Sequence, residues 1–455
     1  MGTNKITNEQ RELILKYVGM GWDKEEIAKA VGVSKMQVAA VCAHITMKTY
    51  KKSKYMERST LITQDAAKPL LEPEQYSYGE NAALIGRRIN SIDKVYWDPN
   101  PESGIGNPHL MIIGESGYGK TYTTQCLIAE LAQKNIHSVV FDYGQGFSLD
   151  TVSKVFLESV NPIEILASDR GIDINPLEIF ATDINGPINV TVRVSDTFNR
   201  IYNIGIQQNS VLQNAILRSF EEKGIQKDNK NTWRNEPPFL SDVKEKLDEM
   251  SNLDGSPEQR VAAKLKSHIS TFFIFNTFRK NGESISWEKI IKSQNSIFIV
   301  QLKGLEGKTS KVVTEFLLWD LYNYIVSKGP TQLRLFCVLD EAHNLSFEKD
   351  SPVDKLVREG RKFGLGLIFA SQQPEDFSST AYSNTATKLV FQVLDDTRKV
   401  SKKLALKCRN FSNPDRILET ISKLPRGRAF FVTQNIGSIV DVFSFEERSS
   451  LRSKK

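Results

Sequence analysis

Short apolar runs recur along the chain from about residue 82, with stretches of helical pattern between them. Runs of this kind are typical of strands that are buried on both faces of a parallel sheet covered by helices. The pattern predicts an α/β domain with a mostly parallel sheet over residues 82–447. The predicted strands lie at 110–113, 138–141, 163–167, 296–301, 333–339, 366–370, 388–393 and 429–432.

Residues 197–290 follow a different pattern, which is helical and polar. The apolar pairs at 211–212 and 216–217 recur at helical spacing, and a run rich in Lys and Glu occupies 242–249. Spacing of this kind predicts amphipathic helices. We therefore expect a helical insertion on the sheet.

The first 50 residues predict a small all-α domain that contains a helix-turn-helix over residues 23–45. Ile27 and Ala28 would pack one helix, and Val38 and Val41 would bury the next. Gly32 would form the turn between the two helices.

Ser34 would cap the second helix of this motif, and Ser34, Lys35 and Gln37 would face the major groove if the domain reads DNA. Because the exposed face is only modestly basic, a module that docks protein is the alternative. A linker is predicted at 51–81, where the chain has two prolines and little periodicity. Residues 448–455 are predicted to be a basic tail.

A complete phosphate-loop motif occupies residues 114–121, which match GxxxxGK[ST] between a predicted strand and a helical run. Its glycines, Gly114, Gly117 and Gly119, allow backbone N–H groups to curl round phosphates at a helix N-terminus. Lys120 would reach the β- and γ-phosphates, and Thr121 would place its hydroxyl on Mg²⁺. The predicted nucleotide-binding residues are Gly114, Glu115, Ser116, Gly117, Tyr118, Gly119, Lys120, Thr121 and Tyr122.

Two adjacent carboxylates, Asp340 and Glu341, follow the apolar run at 333–339. Open α/β sheets bind ligands at the carboxyl ends of their strands. Asp340 is predicted to hold Mg²⁺ through water, and Glu341 to polarise the attacking water. Because adjacent strand residues point to opposite sides, we expect different roles for the two. A solvated acidic turn is the alternative.

A basic segment with Arg358, Arg361 and Lys362 precedes the strand at 366–370, and Gln373 follows that strand. An amide at a strand end could sense the γ-phosphate. The basic residues either form a solvated helix face or supply an arginine to ATP bound on an adjacent subunit, where a planar cation stabilises transition-state charge. The residues alone leave both interpretations open.

Composition changes this picture little. The net charge of +6 fits a nucleic-acid partner but is too small to identify one. The four cysteines are scattered with no CxxC pair, which favours a reducing cytosol over a zinc site or a disulfide framework. No signal core and no apolar run of about 18 residues is visible, so we expect a soluble cytoplasmic protein.

The segments GESGYGKT, LDEAHNL, REGRKFGLGLIFASQQP and ISKLPRGRAFFV, in this order, resemble the HerA/FtsK superfamily of DNA-translocating ATPases, HerA in particular. The resemblance covers roughly residues 82–445. It implies a P-loop NTPase (RecA-like) fold and a hexameric ring around double-stranded DNA, with ATP and Mg²⁺ at subunit interfaces. HerA proteins usually begin with a β-barrel, whereas here the preceding residues are few and helical.

The same resemblance implies the catalytic roles of individual residues. Arg361 becomes the arginine finger, with Arg358 in reserve. The resemblance also implies the roles described above for Lys120, Thr121, Asp340, Glu341 and Gln373.

These observations favour an ATP-driven motor that translocates duplex DNA, with a partner nuclease or other effector in DNA processing or anti-phage defence. The partner is expected because no nuclease motif is visible in this chain. The alternative is a regulatory switch ATPase that assembles a defence or restriction complex without processive translocation. A small-molecule kinase would suit the phosphate loop but leaves the other segments unexplained.

Overall fold

The computed structural model describes residues 6–19, 22–46, 78–100, 107–294, 296–393, 398–433 and 436–452. The chain divides into two units, Met1–Tyr76 and Ser77–Lys455. Most of the predicted linker, residues 51–77, lies outside the described residues. Within the described ranges, no helix is both long and apolar enough to cross a membrane.

The described part of the first unit consists of three helices, α1 (Asn8–Gly19), α2 (Lys24–Val31) and α3 (Lys35–Thr46). The Asp23 side chain accepts hydrogen bonds from the first N–H groups of α2, and Gly32 ends that helix at a φ of +68°. Such a φ favours glycine, which explains the turn at this position. The apolar core is formed by Ile14, Leu15, Ile27, Ala28, Val31, Val38 and Val41.

An eleven-stranded sheet organises the described part of the second unit. Its order is β2-β1-β11-β10-β9-β3-β8-β7-β4-β6-β5. The seven strands from β9 to β5 are parallel, and β10, β11, β1 and β2 are antiparallel. The strands are β1 (Ala83–Arg88), β2 (Lys94–Trp97), β3 (Leu110–Ile113), β4 (His137–Asp142), β5 (Asn161–Leu166), β6 (Ser296–Gln301), β7 (Thr331–Leu339), β8 (Phe363–Ser371), β9 (Thr387–Val390), β10 (Arg428–Thr433) and β11 (Ile436–Val442).

Helices cover both faces of this sheet. Alternate residues of β3 enter opposite cores: Met111 and Ile113 face one, Leu110 and Ile112 the other. Burial on both faces is what a parallel sheet requires. The helices are α4 (Lys120–Ala132), α5 (Lys154–Ser159), α6 (Pro187–Tyr202), α7 (Ile206–Glu222), α8 (Leu240–Asn252), α9 (Gln259–His268), α10 (Ser270–Phe275), α11 (Trp287–Lys292), α12 (Gly307–Lys328), α13 (Pro352–Glu359), α14 (Ser379–Asn384), α15 (Arg398–Lys407), α16 (Pro414–Ser422) and α17 (Phe445–Arg452).

All eight predicted strands are present, but the expectation that each is buried on both faces is wrong for β5. This strand lies at the edge of the sheet, where Ile163 and Leu166 are exposed. The helical insertion comprises α6 to α11 and begins at Pro187, ten residues before the predicted start. Pro187 occupies the first turn of α6, where its missing N–H group costs nothing.

The predicted boundary between the ATPase domain and a basic tail at residue 447 is also wrong. Helix α17 continues to Arg452, and Arg448 within it is buried. The Arg448 guanidinium donates to the carbonyls of Ile85 and Phe443 and pairs with Glu130 of α4 at 2.7 Å. A buried cation with these partners belongs to the folded unit.

Candidate nucleotide-binding site

The phosphate loop connects β3 to α4, which begins at Lys120. Gly119 precedes the helix at a φ of +108°, a conformation that residues with a side chain rarely adopt. The loop is fixed by the strands on both sides of β3: Gly114 N–H donates to Ser371 O of β8 at 3.2 Å, and Glu115 N–H donates to Gln392 O, just after β9, at 2.8 Å. The backbone is therefore held in place before any ligand binds.

Lys120 is buried within this loop, and its Nζ donates to the carbonyl of Glu115 at 3.1 Å. Burial lowers the pKa of Lys120, while the nearby carboxylates of Asp340, Glu341 and Glu115 act in the opposite direction. Lys120 thus lies close enough to Asp340 and Glu341 for their charges to interact. A phosphate entering the loop would meet a fixed cation that is already partly desolvated.

Asp340 and Glu341 follow the last residue of β7, Leu339. Asp340 is buried, and its pKa is raised to about 7, first by burial and then by the charges of Asp142 and Glu341, while Lys120 opposes the rise. Glu341 has a φ of +56°, and its Oε2 lies 3.3 Å from Nδ1 of His343.

The sequence predicted that adjacent strand residues would place the two carboxylates on opposite sides. Because β7 ends at Leu339, before Asp340 and Glu341, the alternation of a strand does not apply to them. One loop, residues 144–146, approaches both. A Cβ atom on Gly144 would lie 3.9 Å from Glu341 Oε1, and one on Gly146 would lie 3.6 Å from Asp340 Oδ2. The left-handed turn at Glu341 therefore keeps the pair on one side of the site.

Asp142, at the end of β4, shapes that approaching loop. Its carboxylate accepts hydrogen bonds from the N–H groups of Gly144, Gly146 and Phe147 and from the amide of Gln301. Asp142 had no predicted role, although it follows a buried run just as Asp340 does. That shared position was the available signal for a residue at the ligand-binding edge.

Gly146 brings the loop against the predicted magnesium site. A Cβ atom there would lie 2.6 Å from Thr121 Cγ2, so any larger residue would displace one of the two. Since the same point is 3.6 Å from Asp340 Oδ2, Thr121 and Asp340 are neighbours. Mg²⁺ usually binds through one or two carboxylates together with substrate phosphates and water. One hydroxyl and one carboxylate beside a phosphate loop fit that ion.

Gln373 and Arg361 lie at opposite ends of β8. Gln373 follows the strand at the edge where the phosphate loop lies, and it is exposed. Arg361, also exposed, precedes the strand. Arg361 lies in the turn at Gly360–Lys362 that precedes the strand. It is close enough to His109, just before β3, for its charge to lower the pKa of that residue.

Arg358 is held within its own helix. Its Nε pairs with Asp354 Oδ1 at 2.8 Å, one turn earlier in α13. The guanidinium of the reserve candidate thus already has a carboxylate partner, whereas Arg361 lies beyond the end of this helix.

The three candidate DNA contacts of the first unit have local partners. Ser34 Oγ accepts from Gln37 N–H, and Gln37 Oε1 accepts from Ser34 N–H at 2.8 Å, so this pair caps α3. Lys35 pairs with Glu25. Residues 6–46 contain five Lys and Arg and five Asp and Glu, so the helices carry no net charge. DNA contact by Ser34, Lys35 and Gln37 stays a prediction.

Comparison with known proteins shows similarity to DNA helicases. Residues 103–321 match the family model of the central domain of helicase HerA. The chain is 26% identical over 391 residues to the DNA double-strand break repair helicase HerA of Sulfurisphaera tokodaii, covering 81% of this chain and 70% of that protein.

Two solved structures share the fold. VirB4 of Thermoanaerobacter pseudethanolicus superposes with a TM-score of 0.63 at 17% identity, over 80% of this chain and 97% of that one. The plasmid coupling protein TrwB, in complex with ADP and Mg²⁺, superposes with a TM-score of 0.52 at 13% identity, over 80% and 96%.

A phosphate loop after a central parallel strand, with a carboxylate pair after a neighbouring one, defines a P-loop ATPase of the RecA-like type. The TrwB structure of the same fold holds ADP and Mg²⁺. Within that class, the chain is similar to HerA, both in the match of residues 103–321 to the HerA central domain and in its likeness to HerA helicases.

Proposed function

We propose that this chain is a motor that hydrolyses ATP to move double-stranded DNA and that it works as a ring of identical subunits, a hexamer. The observation that carries the proposal is that 81% of the chain is similar to HerA, a protein named as a DNA repair helicase. The order of the site residues agrees with that likeness.

Each site residue has a role that its position supports. Lys120 holds the β- and γ-phosphates, and Thr121 and Asp340 hold Mg²⁺, which neutralises phosphate charge when it is bound. Glu341 orients the attacking water, and Gln373 senses the γ-phosphate from the adjacent strand end. Asp142 keeps the 144–146 loop against these groups through four hydrogen bonds.

The ring is supported by the position of Arg361. This residue lies in the turn before β8, and the other end of that strand lies beside the phosphate loop of the same chain. An arginine that stabilises transition-state charge must touch the phosphates. We infer that Arg361 acts on ATP bound to another subunit, as the arrangement of a ring would allow.

The proposal includes a partner, a nuclease or other defence effector, that acts on the delivered DNA. It also includes recruitment of DNA or of that partner by the N-terminal helices. The lack of net charge on these helices favours protein over DNA as their partner, because non-specific DNA binding depends on neutralising phosphates.

The test is the ATPase rate with and without linear duplex DNA, together with displacement of a third strand from that duplex, and Lys120→Ala is the inactive control. Stimulation by DNA and strand displacement are expected. A rate that is indifferent to DNA but rises with a partner protein would instead establish the regulatory switch.

A further inference from the structure

One segment of the second unit is rich in basic residues. Residues 398–426, which comprise α15, α16 and the turn that follows and are called here the basic hairpin, contain nine Lys and Arg against two Asp and Glu. The remaining residues contain 51 against 52. The hairpin is therefore a strongly basic segment of the chain.

Five of its described basic side chains are exposed. Ser401 and Leu404 of α15 are buried, as are Ile417 and Ile421 of α16, and so are Cys408 and Leu424, which follow the two helices. The exposed basic side chains are Lys402, Arg409, Arg416, Lys423 and Arg426, of which Lys423 pairs with Glu419 at 2.7 Å. Burial of one face thus leaves a basic surface on the other.

The hairpin is seated firmly on the sheet. Phe411 packs edge-on against Phe430 of β10, with ring centroids 5.0 Å apart. Asn410 exchanges two hydrogen bonds with the backbone of Gly437 in β11, at 2.7 and 2.8 Å. Lys403 lies over the ring of Tyr382 in α14. These contacts fix the direction in which the basic surface faces.

Gln392 joins the hairpin to the phosphate loop. This residue follows β9, the strand next to β3, and its carbonyl accepts from Glu115 N–H of the loop at 2.8 Å. Its side-chain amide donates to Ser422 O, the last residue of α16, at 2.9 Å. Two consecutive hydrogen bonds therefore connect the phosphate-binding backbone to the end of the hairpin.

We propose that the basic hairpin is a surface that grips the phosphate backbone of duplex DNA, and that Gln392 couples this grip to the phosphate loop. The inference deepens the proposed DNA motor and rests on it. Movement of the loop on binding or release of the γ-phosphate would shift the carbonyl and amide of Gln392 together. The hairpin would then move with the nucleotide state, which is the displacement that a motor needs.

Nucleic acid suits this surface better than an anionic membrane does. A helix that lies on a membrane presents a broad apolar face with several large side chains. In α15 and α16 the exposed large hydrophobic residue among the described side chains is Leu406, next to Lys402 and Arg409. Basic side chains around a small apolar area are typical of contacts to DNA phosphates.

Binding of DNA by the basic hairpin is tested with the triple variant Lys402→Gln, Arg409→Gln and Arg426→Gln. The matched control is Lys227→Gln, Arg234→Gln and Lys264→Gln, three exposed basic residues of the helical insertion with the same change of charge. Affinity for a labelled duplex is measured across salt concentrations, with circular dichroism and thermal midpoints as the check on folding. We expect the hairpin variant to bind at least about tenfold more weakly and its salt slope to fall by about 2 to 3, while the control keeps both wild-type values.

The outcomes separate this inference from the proposed function. If the wild-type protein binds no duplex DNA, the motor proposal itself fails. If it binds and both triple variants retain its affinity and salt slope, the hairpin is not the grip. Loss of binding to phosphatidylserine vesicles with unchanged DNA affinity would make the surface a membrane contact and would overturn the inference.

The coupling is tested with Gln392→Ala, with Gln259→Ala on the helical insertion as the control. The variant loses the hydrogen bond to Ser422 but keeps the backbone bond to Glu115. We expect DNA affinity within about twofold of wild type and stimulation of the ATPase rate by DNA reduced at least about fivefold, a coupling energy of roughly 1 kcal/mol. Full stimulation in Gln392→Ala would disprove the coupling.

Discussion

Glu341 combines a predicted catalytic role with a left-handed backbone, at φ +56° and ψ +53°. A residue with a side chain held in this region costs roughly 1 to 3 kcal/mol, and such residues concentrate at functional sites. Here the conformation turns the chain after β7, so that Glu341 stays beside Asp340 and within reach of His343. The strain is thus tied to the placement of the carboxylate.

Glu341→Gln is expected to keep ATP bound but unhydrolysed. The amide preserves the size of the side chain and loses the ability to activate water. Binding of a fluorescent ATP analogue should stay near the wild-type value, while turnover falls by about 10² or more. Normal turnover in this variant would show that another group is the general base.

The site could be predicted from the sequence only where a residue belongs to a contiguous motif. The phosphate loop and the Asp340–Glu341 pair are such cases. Asp142, Gly146 and Gln392 are not, because their importance comes from contacts with residues far along the chain: Gly146 packs on Thr121, and Gln392 bridges Glu115 and Ser422. Only Asp142 had a local signal, its position at the end of a buried run.

At the scale of elements, the parallel strands were predictable and the antiparallel ones were mostly not. The parallel strands β3, β4, β6, β7 and β8 read as continuous apolar runs because both faces are buried. β11 has two buried and five half-buried residues, and β2 is four residues long. Short strands and strands with few buried residues resemble ordinary loops in a search for long apolar runs.

His109 ties three elements together at the amino end of β3. Its Nδ1 accepts from Leu367 N–H of β8 at 3.1 Å, and its Nε2 lies 3.2 Å from the carbonyl of Val357 in α13. Burial lowers the pKa of His109 to about 4, the Val357 carbonyl opposes this, and the charge of Arg361 lowers the pKa further. The folded protein therefore holds the imidazole neutral.

The stability of the ATPase unit should depend on pH through this residue. The unfolded chain takes up the proton below about pH 6.5, whereas the folded one resists until about pH 4, so this contribution is present above pH 6.5 and is lost as the pH falls towards 4. His109→Asn keeps an acceptor for Leu367 and does not titrate. The variant should melt below wild type at pH 7.5, and the gap should narrow or reverse by pH 4.5. A gap that stays constant would contradict the prediction.

On the scale of the whole molecule, β8 carries a candidate functional residue at each end. Gln373 lies at the edge of the phosphate loop of its own chain, and Arg361 lies at the opposite edge. If Arg361 serves a neighbour, then each subunit supplies most of one ATP site and one cation of another.

Arg361→Ala should nearly silence hydrolysis, by about 10³, while each subunit still binds ATP through its own phosphate loop. Mixing these subunits with Lys120→Ala subunits should restore part of the rate, because an intact Lys120 site can then face an intact Arg361. Arg358→Ala is the matched control and should stay active, since Arg358 pairs with Asp354 within α13. Normal turnover by Arg361→Ala alone would show that Arg361 belongs to a solvated helix face and has no catalytic role.

The position of β8 between two candidate functional residues has a consequence for the order in which the ATP sites of an assembly act. The strand is hydrogen-bonded on both sides, to β3 and β7, and joins its Gln373 end to its Arg361 end, and we expect a shift of the whole strand to reach both. In a closed assembly the state of one site would then be relayed to the next in a single rotational sense. The ATP sites of the ring would then hydrolyse ATP one after another, in an order set by the direction of β8.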